Sequence, residues 1–129
     1  MKTARGLHDE ISKDLSDIGN GLDALAAILH ETAIEKGFWD GPKNHDKFGN
    51  KLALVHSEVT EVLEAIRKNK GSEEVVEEIS DVIIRLLDVY AAMMNAGIVE
   101  HSLDEVLHKT IEKNLVLLEV HHSISFTII

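Results

Sequence analysis

The chain has 129 residues, of which 44% are apolar and 28% charged, with no cysteine, one proline and a formal charge of −10. That length suits one domain with a real core and leaves no room for two comfortable ones. The missing cysteines exclude disulfides, thiolate zinc sites, iron–sulfur clusters and thiol nucleophiles, and the acidic balance argues against a grip on a nucleic-acid backbone. A single proline and 4% aromatic residues favour long helices over a many-turned sandwich. The start, Met1-Lys2-Thr3-Ala4-Arg5-Gly6, leads into no apolar segment. No apolar run approaches the ~18–20 residues of a membrane helix, so a cytoplasmic protein without a membrane partner is expected.

In chain order, Leu7, Ile11, Leu15 and Ile18 lie at roughly helical spacing and predict a short first helix, broken at Gly19-Asn20-Gly21. A second helix is expected from Leu22 to about Lys36, with Gly37 as its stop. Residues 38–46 are the one segment dense in loop formers, and they hold the single tryptophan, Trp39, and the single proline, Pro42. The stripe Leu52, Val55, Val59, Val62, Leu63 and Ile66 predicts a third helix from about Asn50 to Asn69. Ser72 is a candidate N-cap for a fourth helix, about Glu73 to Ala96, ended by Gly97. Ser102-Leu103-Asp104-Glu105 reads as a capping box opening a fifth helix that runs to Asn114 or beyond. The tail, residues 115–129, is β-branched and apolar, which fits an added strand or helix. Exposed, such a segment invites aggregation, so its burial in an interface is expected.

On the third helix Glu58 and Glu61 are three apart and share a face, and Leu54 and Val62 place Glu58 at the edge of the buried stripe. The apolar arc of the fourth helix covers more than half its circumference, so protein is expected to surround it nearly completely. Its remaining face carries Glu74, Glu77, Glu78, Asp81, Arg85 and Asp88. The short turn at Lys70-Gly71-Ser72 predicts an antiparallel hairpin in which Glu58 and Glu61 face Glu78 and Asp81. Carboxylates converging without thiolates or paired histidines favour Mg²⁺, or Mn²⁺. The plainer reading is a solvated acidic surface.

The pattern Glu58-Val59-Thr60-Glu61, then Glu78-Ile79-Ser80-Asp81, is E-x-x-E…E-x-x-D. It resembles the MazG-like nucleoside triphosphate pyrophosphohydrolases of the all-α NTP pyrophosphatase superfamily. KLALVHSEVTEVLEAIRK and EEISDVIIRLLDVYAAMMNAGI look like the two metal-bearing helices of that family, and ETAIEKGFWD like the segment upstream of them. The likeness spans about residues 22–114 of a single 1–129 domain, leaving 115–129 as an atypical tail.

The resemblance implies an all-α, oligomeric bundle of about four to five helices built on the antiparallel hairpin. It implies that Glu58, Glu61, Glu78 and Asp81 are catalytic and hold Mg²⁺ on a nucleoside triphosphate. Water would attack the α-phosphorus, giving a nucleoside monophosphate and pyrophosphate, in a house-cleaning role on ordinary or damaged (d)NTPs. A homodimer or a homotetramer built as a dimer of dimers is implied, with sites near subunit interfaces. Substrate-binding positions follow: Trp39 stacks on the base or anchors its loop; Lys51 meets phosphate or base. Arg85 reaches phosphate or pairs with Glu78 or Asp88, and Glu77 orients a ligand from outside the four-acid pattern or is a plain surface residue.

Lys109 and Asn114 complete the implied substrate-binding positions, although they match the family's K-x-x-x-N only with a register offset and the basic tail that normally follows is absent. That absence keeps a non-catalytic oligomerisation or interaction module of the same fold as the alternative. A di-iron bundle would need Glu-x-x-His on two helices, whereas Glu105-x-x-His108 and Glu119-x-x-His122 share one C-terminal stretch. The His8-Asp9 and His45-Asp46 doublets, the pattern of metal phosphohydrolases, read better as polar loop or capping residues.

Overall fold

Among the described residues five helices follow one another: α1 (Ala4–Ile18), α2 (Gly21–Glu35), α3 (His45–Arg67), α4 (Ser72–Asn95) and α5 (Leu103–Ile128). This computed structural model describes residues 3–41 and 45–128, and within them every side chain except those of 4, 7, 8, 14, 15, 18, 45, 46 and 118–128. The described residues contain no strand, so the all-α expectation holds. Pro42 and the side chains of His8, His45, Asp46, Glu119 and His122 lie outside what is described.

The helix ends follow from local chemistry. At Gly37 (φ 83°) the Phe38 N–H reaches the Ala33 carbonyl and the Gly37 N–H reaches that of Ile34, a Schellman closure that only a left-handed residue completes. Gly97 (φ 74°) ends α4 in the same way, through Ile98 to Met93 and Gly97 to Met94. Asn69 (φ 51°) ends α3 with Lys70 bonded to Ala65, the amide side chain being among the few that tolerate this conformation. Ser72 is not the cap expected of it. It is the first residue of α4, Gly71 (φ 97°) holds the cap position, and no side chain closes that turn. The tail resolves towards helix, since α5 runs unbroken to Ile128. Its expected burial falls largely on side chains outside those described.

The chain divides into two compact units. The first joins Met1–Asp23 to His101–Ile129, with α1 packed against α5. Its fixed point is an exchange of helix caps. The Asp104 carboxylate, 1% exposed, accepts from the N–H groups of Leu22 (3.2 Å) and Asp23 (2.7 Å). The Asp23 carboxylate accepts in return from the N–H groups of Leu103 (3.0 Å) and Asp104 (3.4 Å) and from the Ser102 hydroxyl (2.5 Å). Each carboxylate thus satisfies amides that the first turn of the other helix leaves orphaned, and each sits at a positive dipole end. Of the expected capping box, the half from the Glu105 N–H to Ser102 Oγ is present at 3.3 Å. Asp104→Ala would strand buried amides and is expected to cost about 1–3 kcal/mol. A lowered urea midpoint with unchanged helical signal is the expected reading, and an unchanged midpoint would contradict the exchange.

The second unit, Ala24–Glu100, holds most of α2 with α3 and α4, the last two packed along each other. Its interior is lined by small side chains, Ala26, Ala33, Ala65, Ala91 and Ala92, with Leu87 and Val89. The expectation that protein surrounds α4 is not met within one chain. Val76 is 57% exposed, and Ile79, Ile83, Ile84 and Leu86 are also open. Small residues make up most of the buried set, and several larger aliphatic side chains of α4 are left open, Leu87 and Val89 excepted. On α3, Val59, Leu63 and Ile66 are exposed likewise.

Candidate metal centre and adjoining pocket

The hard-ligand cluster is assembled from one turn of α3 and one of α4. Glu58, Glu78 and Asp81 each offer an oxygen, and all these atoms lie within 4.8 Å of one another. Glu58 and Glu78 are half-buried; Asp81 and Glu61 are exposed. Glu61 stands outside that tight group. Its charge still reaches the group, because partial burial and then the charges of Asp81, Glu61 and Glu58 raise the Glu78 pKa, against a smaller opposing effect of Lys70. Carboxylates this close favour protonation of one of them, or a cation between them.

Arg85 lies one turn after Asp81, and its Nε donates to Glu58 Oε1 at 2.7 Å. The pair is therefore with Glu58 on α3, and not with Glu78 or Asp88 on its own helix. Two facts account for this. Glu58 is a half-buried carboxylate that needs a counter-charge, and Asp88 is already engaged. Glu77 is exposed.

Asp88 is the residue that the helix wheel misjudged. Two turns beyond Asp81, it is 9% exposed and holds two side chains. His30 Nδ1 lies 2.7 Å from Oδ1, and the Trp39 indole N–H meets Oδ1 at 3.0 Å and Oδ2 at 3.1 Å. His30, on α2, is itself buried, and the Trp39 ring meets it edge-on at 5.3 Å. The signal for His30 lay in its spacing. It falls in line with the buried Ala26 and Ala33, at the four- and three-residue intervals of a core face.

The loop after α2 is held from α3. The ammonium groups of Lys47 and Lys51 donate to the carbonyls of Trp39 and Phe38, and Lys51 stands 5.0 Å from the Trp39 ring centre. Lys51 is thus committed to the loop, and Trp39 is anchored by hydrogen bonds as well as by ring contacts. His30, Trp39 and Lys47, with Ile34, Asp40, Phe48, Ala92, Asn95, Ala96 and Ile98, line a pocket of about 510 Å³. Its size and mixed lining are those of a small-molecule site. Phe48 precedes Glu58, and Ala92 follows Asp81, by about three helical turns, so roughly 15 Å of helix separates pocket from carboxylates along each of α3 and α4.

Lys109 and Asn114 are exposed on α5, in the first unit. The cluster and pocket are built without them. The carboxylate cluster contains no histidine, so the Glu-x-x-His donor set of a di-iron centre is not what gathers here. Compared with protein-family models, with curated proteins and with solved structures, the chain matches none.

Proposed function

We propose that this chain is a MazG-like, Mg²⁺-dependent pyrophosphohydrolase that cleaves (d)NTPs to (d)NMP and pyrophosphate. The observation that carries the reading is the convergence of Glu58, Glu78 and Asp81 from two helices onto one point. The donor set suits a hard divalent ion: it is all oxygen, it is compact, and partial burial together with the neighbouring charges raises the Glu78 pKa. Glu58, Glu78 and Asp81 would hold the ion, with Glu61 beside them. Bound there, Mg²⁺ would neutralise the triphosphate, acidify a water and stabilise the departing pyrophosphate.

The chain's own residues supply the rest. The pocket beside Trp39, His30 and Phe48 would take the base, its aromatic walls held in place by Asp88. Lys47 and Lys51 would keep the mouth of the pocket shaped by holding the carbonyls of Phe38 and Trp39. Self-association as a dimer or tetramer would cover the open aliphatic side chains of α3 and α4.

A panel of NTPs and dNTPs with Mg²⁺, with pyrophosphate and orthophosphate detected separately, tests the assignment. Pyrophosphate and monophosphate are the expected products. Orthophosphate alone would sink the reading, and no turnover with any nucleotide would favour the interaction module, for which the exposed aliphatic faces of α3 and α4 also speak.

A further inference from the structure

We propose that Arg85 is an internal counter-ion that competes with the metal for Glu58, and that loading the site moves its guanidinium from Glu58 to the substrate's phosphates. This rests on the pyrophosphohydrolase reading above. Glu58 belongs to two constellations at once. Its Oε1 receives Arg85 Nε at 2.7 Å, and it offers an oxygen to the cluster with Glu78 and Asp81. A divalent cation brought to those carboxylates would lie beside a fixed positive charge, and the two repel. Occupancy by one therefore opposes occupancy by the other.

The burial pattern makes the exchange feasible. The Glu58 side chain is 18% exposed and that of Arg85 is 38% exposed, so the carboxylate is the fixed partner and the guanidinium the one with room to leave. Only Nε is engaged by Glu58, leaving the terminal nitrogens able to form a fork on a second anion. Arg85 pairs with Glu58 and not with Glu78 or Asp81, so the pairing holds back Glu58 alone. Arg85 stands one turn from Asp81 on the same helix face, so a released guanidinium stays beside whatever the metal carries.

The consequence is a site that takes metal alone weakly and metal with a triphosphate strongly, since only the second gives the displaced arginine a new partner. Arg85 is a positioning residue on this view, and its removal should improve one kind of binding while harming another. Mn²⁺ titrations of wild type, Arg85→Gln and Arg85→Lys, followed by calorimetry or by the paramagnetic signal of free Mn²⁺, give the first readout. Without nucleotide, Arg85→Gln should bind Mn²⁺ about tenfold more tightly than wild type, and Arg85→Lys should lie between them. With a non-hydrolysable triphosphate present, the order should reverse, wild type binding the nucleotide best.

Circular dichroism on each variant establishes that the helices persist. Damage to the fold cannot tighten Mn²⁺ binding, so the gain separates competition from a merely structural role. Equal or weaker Mn²⁺ binding by both variants, with wild type binding measurably, overturns the competition and leaves the metal site standing. Tighter Mn²⁺ with unchanged nucleotide affinity overturns the transfer to phosphate. Absence of Mn²⁺ binding in all three proteins overturns both this proposal and the reading on which it rests.

Discussion

Asp81→Asn is expected to lower pyrophosphate release by about a thousandfold, roughly 4 kcal/mol of barrier, with the helical signal intact. The substitution keeps the side chain's size and one oxygen while removing the charge that a divalent ion needs. Asp81 is exposed, so the fold has little stake in it. Glu61→Gln should likewise abolish turnover. Retained pyrophosphate release in Asp81→Asn would contradict a catalytic role for the cluster.

The metal-free protein supplies an independent check on the same variant. The Glu78 pKa is raised, first by partial burial and next by the charge of Asp81. A carboxyl whose folded pKa is raised favours the folded state fully below its unfolded pKa. That advantage is lost as pH climbs through the raised value. In chelator, acidification into the carboxylate range should therefore improve this part of the stability of wild type. Asp81→Asn removes one cause of the rise and should flatten the response.

Asp88→Ala should be the most damaging single change to the second unit. It removes the shared acceptor of His30 and Trp39, and all three side chains are buried or half-buried. Stranding those donors is expected to cost about 2–4 kcal/mol. Because Trp39 is the only tryptophan, its emission reports the event directly, and a changed spectrum in the folded protein should accompany the lowered urea midpoint. Asp88→Asn should be intermediate, since its amide offers one acceptor oxygen and turns an N–H₂ towards the donors. Unchanged emission and midpoint in Asp88→Ala would show that the carboxylate is not what holds the indole.

The helices were legible because their punctuation is chemical and local. Gly37 and Gly97 stop helices by adopting a conformation that other residues resist, and a reader of the sequence can see them. The start of α3 at His45, ahead of Asn50, was harder to see. Its first turn carries Lys47 and Phe48, whose value lies in reaching Trp39 across the fold. The carboxylates Glu58, Glu78 and Asp81 could be brought together on paper, since spacing on two adjacent helices settles which faces meet. Asp88 lay on the same wheel face, yet no wheel reveals that His30 on α2 would claim it. The exchange between Asp23 and Asp104 was invisible for a similar reason. Each reads as an ordinary acidic residue in the first turn of a helix, and only the fold shows that each caps the other's helix. The breadth of the apolar arc on α4 was legible, but a single chain leaves Val76, Ile79, Ile83, Ile84 and Leu86 open.

The exchanged caps bear on how this protein can be trimmed. A fragment beginning at Ala24 would keep Glu58, Glu78 and Asp81, and by that criterion would look harmless. It would nevertheless delete Asp23 and so withdraw an acceptor from the start of α5, far along the chain. A fragment ending at Glu100 would do the reverse, leaving the Leu22 and Asp23 amides without Asp104. A cut past the exchange on either side strands cap groups on the other, so Asp23 and Asp104 tie two segments 81 residues apart into one unit.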